Sequence, residues 1–211
     1  MHSRNVKKFY TLLQSSNPKP ETELKYKTIY HLLIAVVLSA QATDKSVNKA
    51  TQTLFKRIKK PEDAIKMGEA KIRQYIKTIG LYKNKAKNVY QLSKKLIKQH
   101  NGIVPKNREL LESLPGVGRK TANVVLNVAF AIPTIAVDTH IFRVSNRTGI
   151  AKGKNPLEVE KKLLEVTPTE FKMYAHHWLI LHGRYTCKAR KPDCVKCIVN
   201  NLCEYEKKEI K

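Results

Sequence analysis

Acid is what this chain most lacks. Its 211 residues carry 17 Asp and Glu against 41 Lys and Arg, a formal charge of +24. A folded body with a pI near 10 calls for a polyanionic partner, with nucleic acid first and an anionic membrane surface second. The alternative is a set of solvated, lysine-rich faces. The cations form no tail or block and are scattered among apolar positions from end to end, which describes a basic folded body. Long apolar runs are missing too. Residues 32–38 are among the longest, and a membrane span needs about 20 residues, which excludes a transmembrane protein. The opening Met1-His2-Ser3-Arg4 brings basic residues without the apolar core of a secretory signal, so a cytoplasmic, DNA-associated protein is expected. Repeats and low-complexity segments are absent, and 42% hydrophobic content is too high for a wholly disordered chain. One or two domains suit this length. Roughly 70–75% of the unfolded surface can be buried, so no disulfide staples are needed.

Strand-like alternation is also absent, and helical periodicity takes its place. Val6, Phe9, Tyr10 and Leu13 fall at i, i+3, i+4 and i+7. Ala86, Val89, Tyr90, Ser93 and Ile97 trace one face of a long basic helix, widened by Leu92 and Leu96. Asp44 is placed to cap a helix running to about Ile58, and Pro61 to open another. The stretch 124–132 is apolar except for Asn127, so its helix should be buried. The fold class is all-α.

Cysteine is confined to one window. Cys187, Cys194, Cys197 and Cys203 are spaced C-x6-C-x2-C-x5-C. Without a secretory signal, four close thiols point to a metal rather than to disulfides. Zinc sites usually show two close pairs, and here only Cys194 and Cys197 form one. Four thiolates also suit a [4Fe–4S] cluster. Lys188, Arg190 and Lys191 lie inside the loop, where thiolate ligation would hold them in a fixed array for phosphate contact. His176, His177 and His182 just before it read as packing or polar-face residues.

Residues 107–130 read as helix, tight turn, helix. The turn is Leu114-Pro115-Gly116-Val117-Gly118, followed by Arg119-Lys120-Thr121-Ala122. Pro115 fixes φ, and Gly116 and Gly118 permit positive φ and close backbone approach. Such a turn aims backbone N–H groups outward at a helix N-terminus, which suits an anion. On a basic protein that anion is a DNA phosphate, although a plain hairpin would show the same turn. Lys120 stands beside Arg119 at the start of a helix expected to be buried. Burial and neighbouring positive charge both disfavour an ammonium, and a neutral lysine is a nucleophile.

These residues resemble the helix-hairpin-helix motif of the DNA glycosylase superfamily. Val137-Asp138-Thr139-His140 resemble its Asp motif, and the cysteine spacing resembles its iron–sulfur loop. Residues 38–44, LSAQATD, and 79–82, IGLY, complete a pattern similar to the bacterial endonuclease III family over essentially the whole chain. The resemblance implies a glycosylase with AP lyase activity on oxidised pyrimidines in duplex DNA; a monomer is the default expectation. It implies a six-helix domain over 22–132 carrying the hairpin. Residues 1–21 plus 133–211 would form a cluster domain, with its cluster loop at 187–203 and a DNA-binding cleft between the two domains. Lys120 becomes the nucleophile at C1′ and Asp138 its partner. Gln41 matches the position that fills the hole left by an extruded base, and Leu81 the wedge. Cys187, Cys194, Cys197 and Cys203 become ligands of a [4Fe–4S] cluster with a structural role.

Asp138 lies 18 residues after Lys120. A helix to Ala131 would run about 16 Å, and the next seven residues span at most about 24 Å, so a return to the same place is possible. Asp138 could equally cap the next helix, and one residue can do both. Three rivals remain. The mismatch adenine glycosylase shares the cysteine pattern but lacks the lysine. A binding module with a structural metal would keep its activity without Lys120. An electron carrier would have little use for so basic a surface.

Overall fold

A computed structural model describes residues 1–208 of the chain. Among the described residues there are eleven α-helices, one 3-10 turn at Asn200–Leu202 and no strand. The helices are α1 (Ser3–Ser16), α2 (Ile29–Leu38), α3 (Asp44–Arg57), α4 (Pro61–Met67), α5 (Glu69–Tyr75), α6 (Tyr82–His100), α7 (Arg108–Glu112), α8 (Arg119–Phe130), α9 (Thr139–Thr148), α10 (Pro156–Val166) and α11 (Thr169–Tyr185). The chain divides into two compact units. One is built from both ends, Met1–Glu21 with Ile132 onward, and the other is Thr22–Ala131. The boundary falls where α8 ends. Ala131 is left-handed at φ 53°, and the residue before Pro133 cannot comfortably continue a helix.

The middle unit is organised around α2. Its residues from Tyr30 to Leu38 are all buried, and α8, α3 and α6 pack against it. Thr28 caps it through the His31 amide. The α3 cap is Thr43, whose hydroxyl accepts from the Ser46 amide at 3.2 Å. Asp44, expected as the cap, is instead the first helical residue, where its charge still suits the positive helix end. On α6 the buried face centres on Val89, Leu92, Ser93 and Leu96, leaving Tyr90 and Ile97 half-buried at its margins. The unit has seven helices rather than six, because Gly68 at φ 82° turns the chain between α4 and α5.

The unit of the two ends closes on aromatic residues. Tyr10 of α1 stacks on Phe171 at 5.6 Å between centroids and lies near Trp178. The Tyr10 and Thr167 hydroxyls hydrogen-bond at 3.0 Å. The Trp178 indole N–H donates to the Asn17 carbonyl at 2.7 Å. Ile141 and Val144 of α9, Val159 and Leu163 of α10 and Leu179 of α11 complete this core. Burial of these side chains, each worth roughly 1.5–3 kcal/mol, is what ties the first helix to the last ones. His176, His177 and His182 are buried on α11. They are core residues and not a polar face, and burial pushes His177 and His182 down to about 4.

Candidate active site

The hairpin forms between α7 and α8. Asn107 caps α7, and the turn is pinned by the Val117 amide donating to the Leu114 carbonyl at 3.0 Å. Leu114 and Val117 are buried anchors under it. Gly116, Gly118, Arg119 and Lys120 are exposed above them. Gly116 needs to be glycine twice over, since φ is 79° and an added Cβ would lie 2.7 Å from Asn88 Nδ2. Gly118 needs neither freedom. Its φ of −96° with ψ 177° is ordinary extended backbone, and a Cβ there would meet nothing within 4 Å. No side chain caps α8, so its positive end faces outward through an open turn.

Lys120 is the second residue of α8 and is exposed. The burial expected from the apolar run does not reach it. Ala122, Asn123, Val125, Leu126 and Asn127 carry the buried face of α8, which leaves Arg119 and Lys120 exposed ahead of it. In this chain Lys120 is therefore presented, and not sequestered, at a helix N-terminus beside Arg119.

Gln41 and Leu81 sit on adjacent loops of the same unit. A Cβ on Gly80 would lie 3.9 Å from the Gln41 carbonyl oxygen. Both residues are left-handed, Gln41 at φ 53° and Leu81 at φ 58°. Both are exposed, Leu81 by 57%. A leucine held exposed at positive φ is conformationally costly, by about 1–3 kcal/mol. The surrounding fold holds two strained tips side by side.

In the other unit Asp138 caps α9. Its Oδ1 accepts from the His140 and Ile141 amides, each at 2.9 Å. His140 Nδ1 lies 3.0 Å from Oδ2. Asp138 is 9% exposed and His140 35%. Capping and a second role are compatible here, because the cap fixes the direction of the carboxylate.

The four cysteines follow α11. Cys187, Cys194, Cys197 and Cys203 line one cavity together with Arg147, His182 and Tyr205. Among the described residues no three His, Cys, Asp or Glu side chains close on a single ion. Four thiols around one cavity are a donor set that would fit a [4Fe–4S] cluster. Burial pushes the Cys197 thiol up to about 11 and raises Cys203 as well. These thiols would give up their protons to a strongly binding metal but not to water.

Two arginines of α9 hold this loop, and little in their sequence context marks them. Arg143 donates from Nε to the Cys187 carbonyl at 3.0 Å and from Nη2 to the Gly183 carbonyl at 2.7 Å. Arg147 donates to the Lys188 carbonyl at 2.6 Å, to the Ala189 carbonyl at 3.0 Å and to Cys187 Sγ at 3.7 Å. Its guanidinium lies 4.7 Å from the centre of the Tyr205 ring. The one available signal was their i, i+4 spacing on the helix after Asp138. Lys188, Arg190 and Lys191 project from the clamped loop and are exposed, with Lys191 left-handed at φ 48°.

Comparison with known proteins fits this geometry. Residues 34–169 match the family model described as HhH-GPD superfamily base excision DNA repair protein. The chain is 61% identical to endonuclease III of Haemophilus influenzae and 60% to that of Escherichia coli, each over 198 residues and 94% of both chains. It also resembles a solved trapped endonuclease III–DNA covalent intermediate, with 45% identity, a TM-score of 0.91, 97% of this chain covered and 96% of that one. The chain belongs to the HhH-GPD superfamily of base excision DNA repair proteins and, within it, to the endonuclease III family.

Proposed function

We propose that this chain is a base-excision repair DNA glycosylase with AP lyase activity, removing oxidised pyrimidines from duplex DNA and then cutting 3′ to the abasic site. The observation that carries this is the near-full-length identity to endonuclease III, joined to a structural relative described as a covalent intermediate with DNA. Lys120 and Asp138 are assigned to the same sugar. The lysine amine, once neutral, attacks C1′. The bond from C1′ to the base breaks, and the base leaves with that electron pair and gains a proton. The C1′–O4′ bond then opens, O4′ taking up a proton as the nitrogen gives one up, and the resulting Schiff base acidifies the C2′ hydrogen. Loss of that proton expels the 3′ phosphate, and hydrolysis frees the lysine. Asp138 stabilises positive charge developing on the sugar and takes part in moving the amine proton.

Gln41 and Leu81 would enter the duplex where the damaged nucleotide leaves it, the usual role of side chains that hold a distorted duplex open. Exposure at strained backbone supports that assignment. Gly116, Gly118 and Arg119 would hold a phosphate at the α8 N-terminus. Lys188, Arg190 and Lys191 would hold another through the clamped loop. Cys187, Cys194, Cys197 and Cys203 would ligate a [4Fe–4S] cluster. When bound, that group supplies a rigid cross-link of the loop and no step of the excision chemistry. Among the described residues no helix is long and apolar enough to cross a membrane. The proposed place of action is the bacterial cytoplasm, as a monomer on DNA.

A duplex with one oxidised thymine tests the assignment. The protein should release the base and cleave that strand, and base release without cleavage would remove the lyase activity. DNA affinity should fall linearly in log K against log salt, with a slope near −0.9 for each phosphate neutralised. A salt-insensitive affinity contradicts the basic interface. Protein purified without oxygen should be brown and carry iron. Stoichiometric zinc in its place would overturn the cluster.

A further inference from the structure

Three points on α6 touch functional loops, and they are seven residues apart. Leu81 caps the helix, Asn88 lies on its second turn and Lys95 two turns further on. Seven residues fall about 20° short of two full turns, so Asn88 and Lys95 share one stripe about 10 Å apart along the axis, and Leu81, left-handed at φ 58°, stands at the capped end. At the first point the exposed, left-handed Leu81 meets the Gln41 loop through Gly80. At the second, the Asn88 side chain fills the space beside Gly116, with Nδ2 2.7 Å and both Cβ and Cγ 2.9 Å from where a Cβ would stand. At the third, Lys95 Nζ donates to the Ser113 carbonyl at 2.7 Å, at the start of the same turn. The hairpin turn is thus attached to α6 on both sides of Pro115.

We propose that α6 is a strut joining the Gln41 and Leu81 tips to the hairpin, and that Asn88 is a positioning residue for the reaction. Asn88 wedges against Gly116 and holds the turn that leads into Lys120. The spacing between the inserted side chains and the presented amine is then fixed by one rigid helix, so the tips and the amine engage one nucleotide together. Positioning of this kind matters because a displacement of about 1 Å at a reacting group can cost on the order of 100-fold in rate. This inference rests on the proposed glycosylase and lyase activity.

The test compares Asn88→Ala, Gly116→Ala and the double variant. Two quantities are read: amide hydrogen exchange across residues 113–118 in the free protein, and the single-turnover cleavage rate on saturating abasic duplex. Gly116→Ala meets both the backbone strain and the Asn88 side chain. It should speed exchange in the turn and slow cleavage at least tenfold. Asn88→Ala should loosen the turn and slow cleavage more mildly, with little change in melting temperature. In the double variant the collision is gone and only the strain remains, so it should exchange more slowly and cleave faster than Gly116→Ala alone. A double variant no better than Gly116→Ala on either measure overturns the proposal. A wild-type chain that leaves the abasic duplex intact overturns the proposed function and this role with it.

Discussion

Lys120→Ala should leave a folded protein that binds DNA and does not cleave it. Lys120 is exposed on the first turn of α8 and contributes nothing to the buried face of that helix. Alanine is the better helix former, so the melting temperature should hold or rise slightly. Binding should lose about one phosphate's worth of salt dependence. Strand cleavage should fall by at least roughly 10³-fold, because removing a covalent nucleophile removes the pathway and not merely a contact. Lys120→Arg separates charge from chemistry. It keeps the cation beside the hairpin and cannot form a Schiff base, so it should bind like wild type and stay inactive. Cleavage by either variant near the wild-type rate would place the nucleophile elsewhere.

Asp138 calls for a paired experiment because the fold gives it a structural task. Its Oδ1 accepts two amides at the start of α9, and Oδ2 faces His140. Asparagine caps helices about as well as aspartate, whereas alanine costs about 0.5–2 kcal/mol at such a position. Asp138→Asn should therefore melt near wild type and lose roughly 10²–10⁴-fold in rate, the usual scale for a positioned acid or base. Asp138→Ala should lose as much rate and be less stable as well. An active Asp138→Asn variant would reduce this residue to a helix cap.

Much of this was readable from residue order, for reasons that can be named. α1 and α6 announce themselves by period, since burying one face of a helix forces apolar residues into register. The hairpin is legible because Pro fixes the backbone and Gly frees it, although of Gly116 and Gly118 only Gly116 uses positive φ. The cysteines are legible because four thiols in one short loop have few other uses. Exposure of Lys120 was not legible. An apolar run shows that a helix is buried and not which of its first residues lie outside the core. The left-handed Gln41 and Leu81 carry no local signal, because neither residue type favours that region. The strain there is imposed by tertiary structure. Arg143 and Arg147 were lost among 41 cations, since their partners are backbone carbonyls some 40 residues away. Asn88 was hidden likewise, because its partner is a glycine with no side chain to suggest a contact.

The most direct measurement is borohydride trapping on a duplex with a single oxidised thymine, followed by mass-spectrometric mapping of the residue joined to DNA. One adduct at Lys120, absent from Lys120→Ala, is the predicted result. An adduct at another amine, or base release with no adduct, would contradict the Schiff-base chemistry assigned to this lysine.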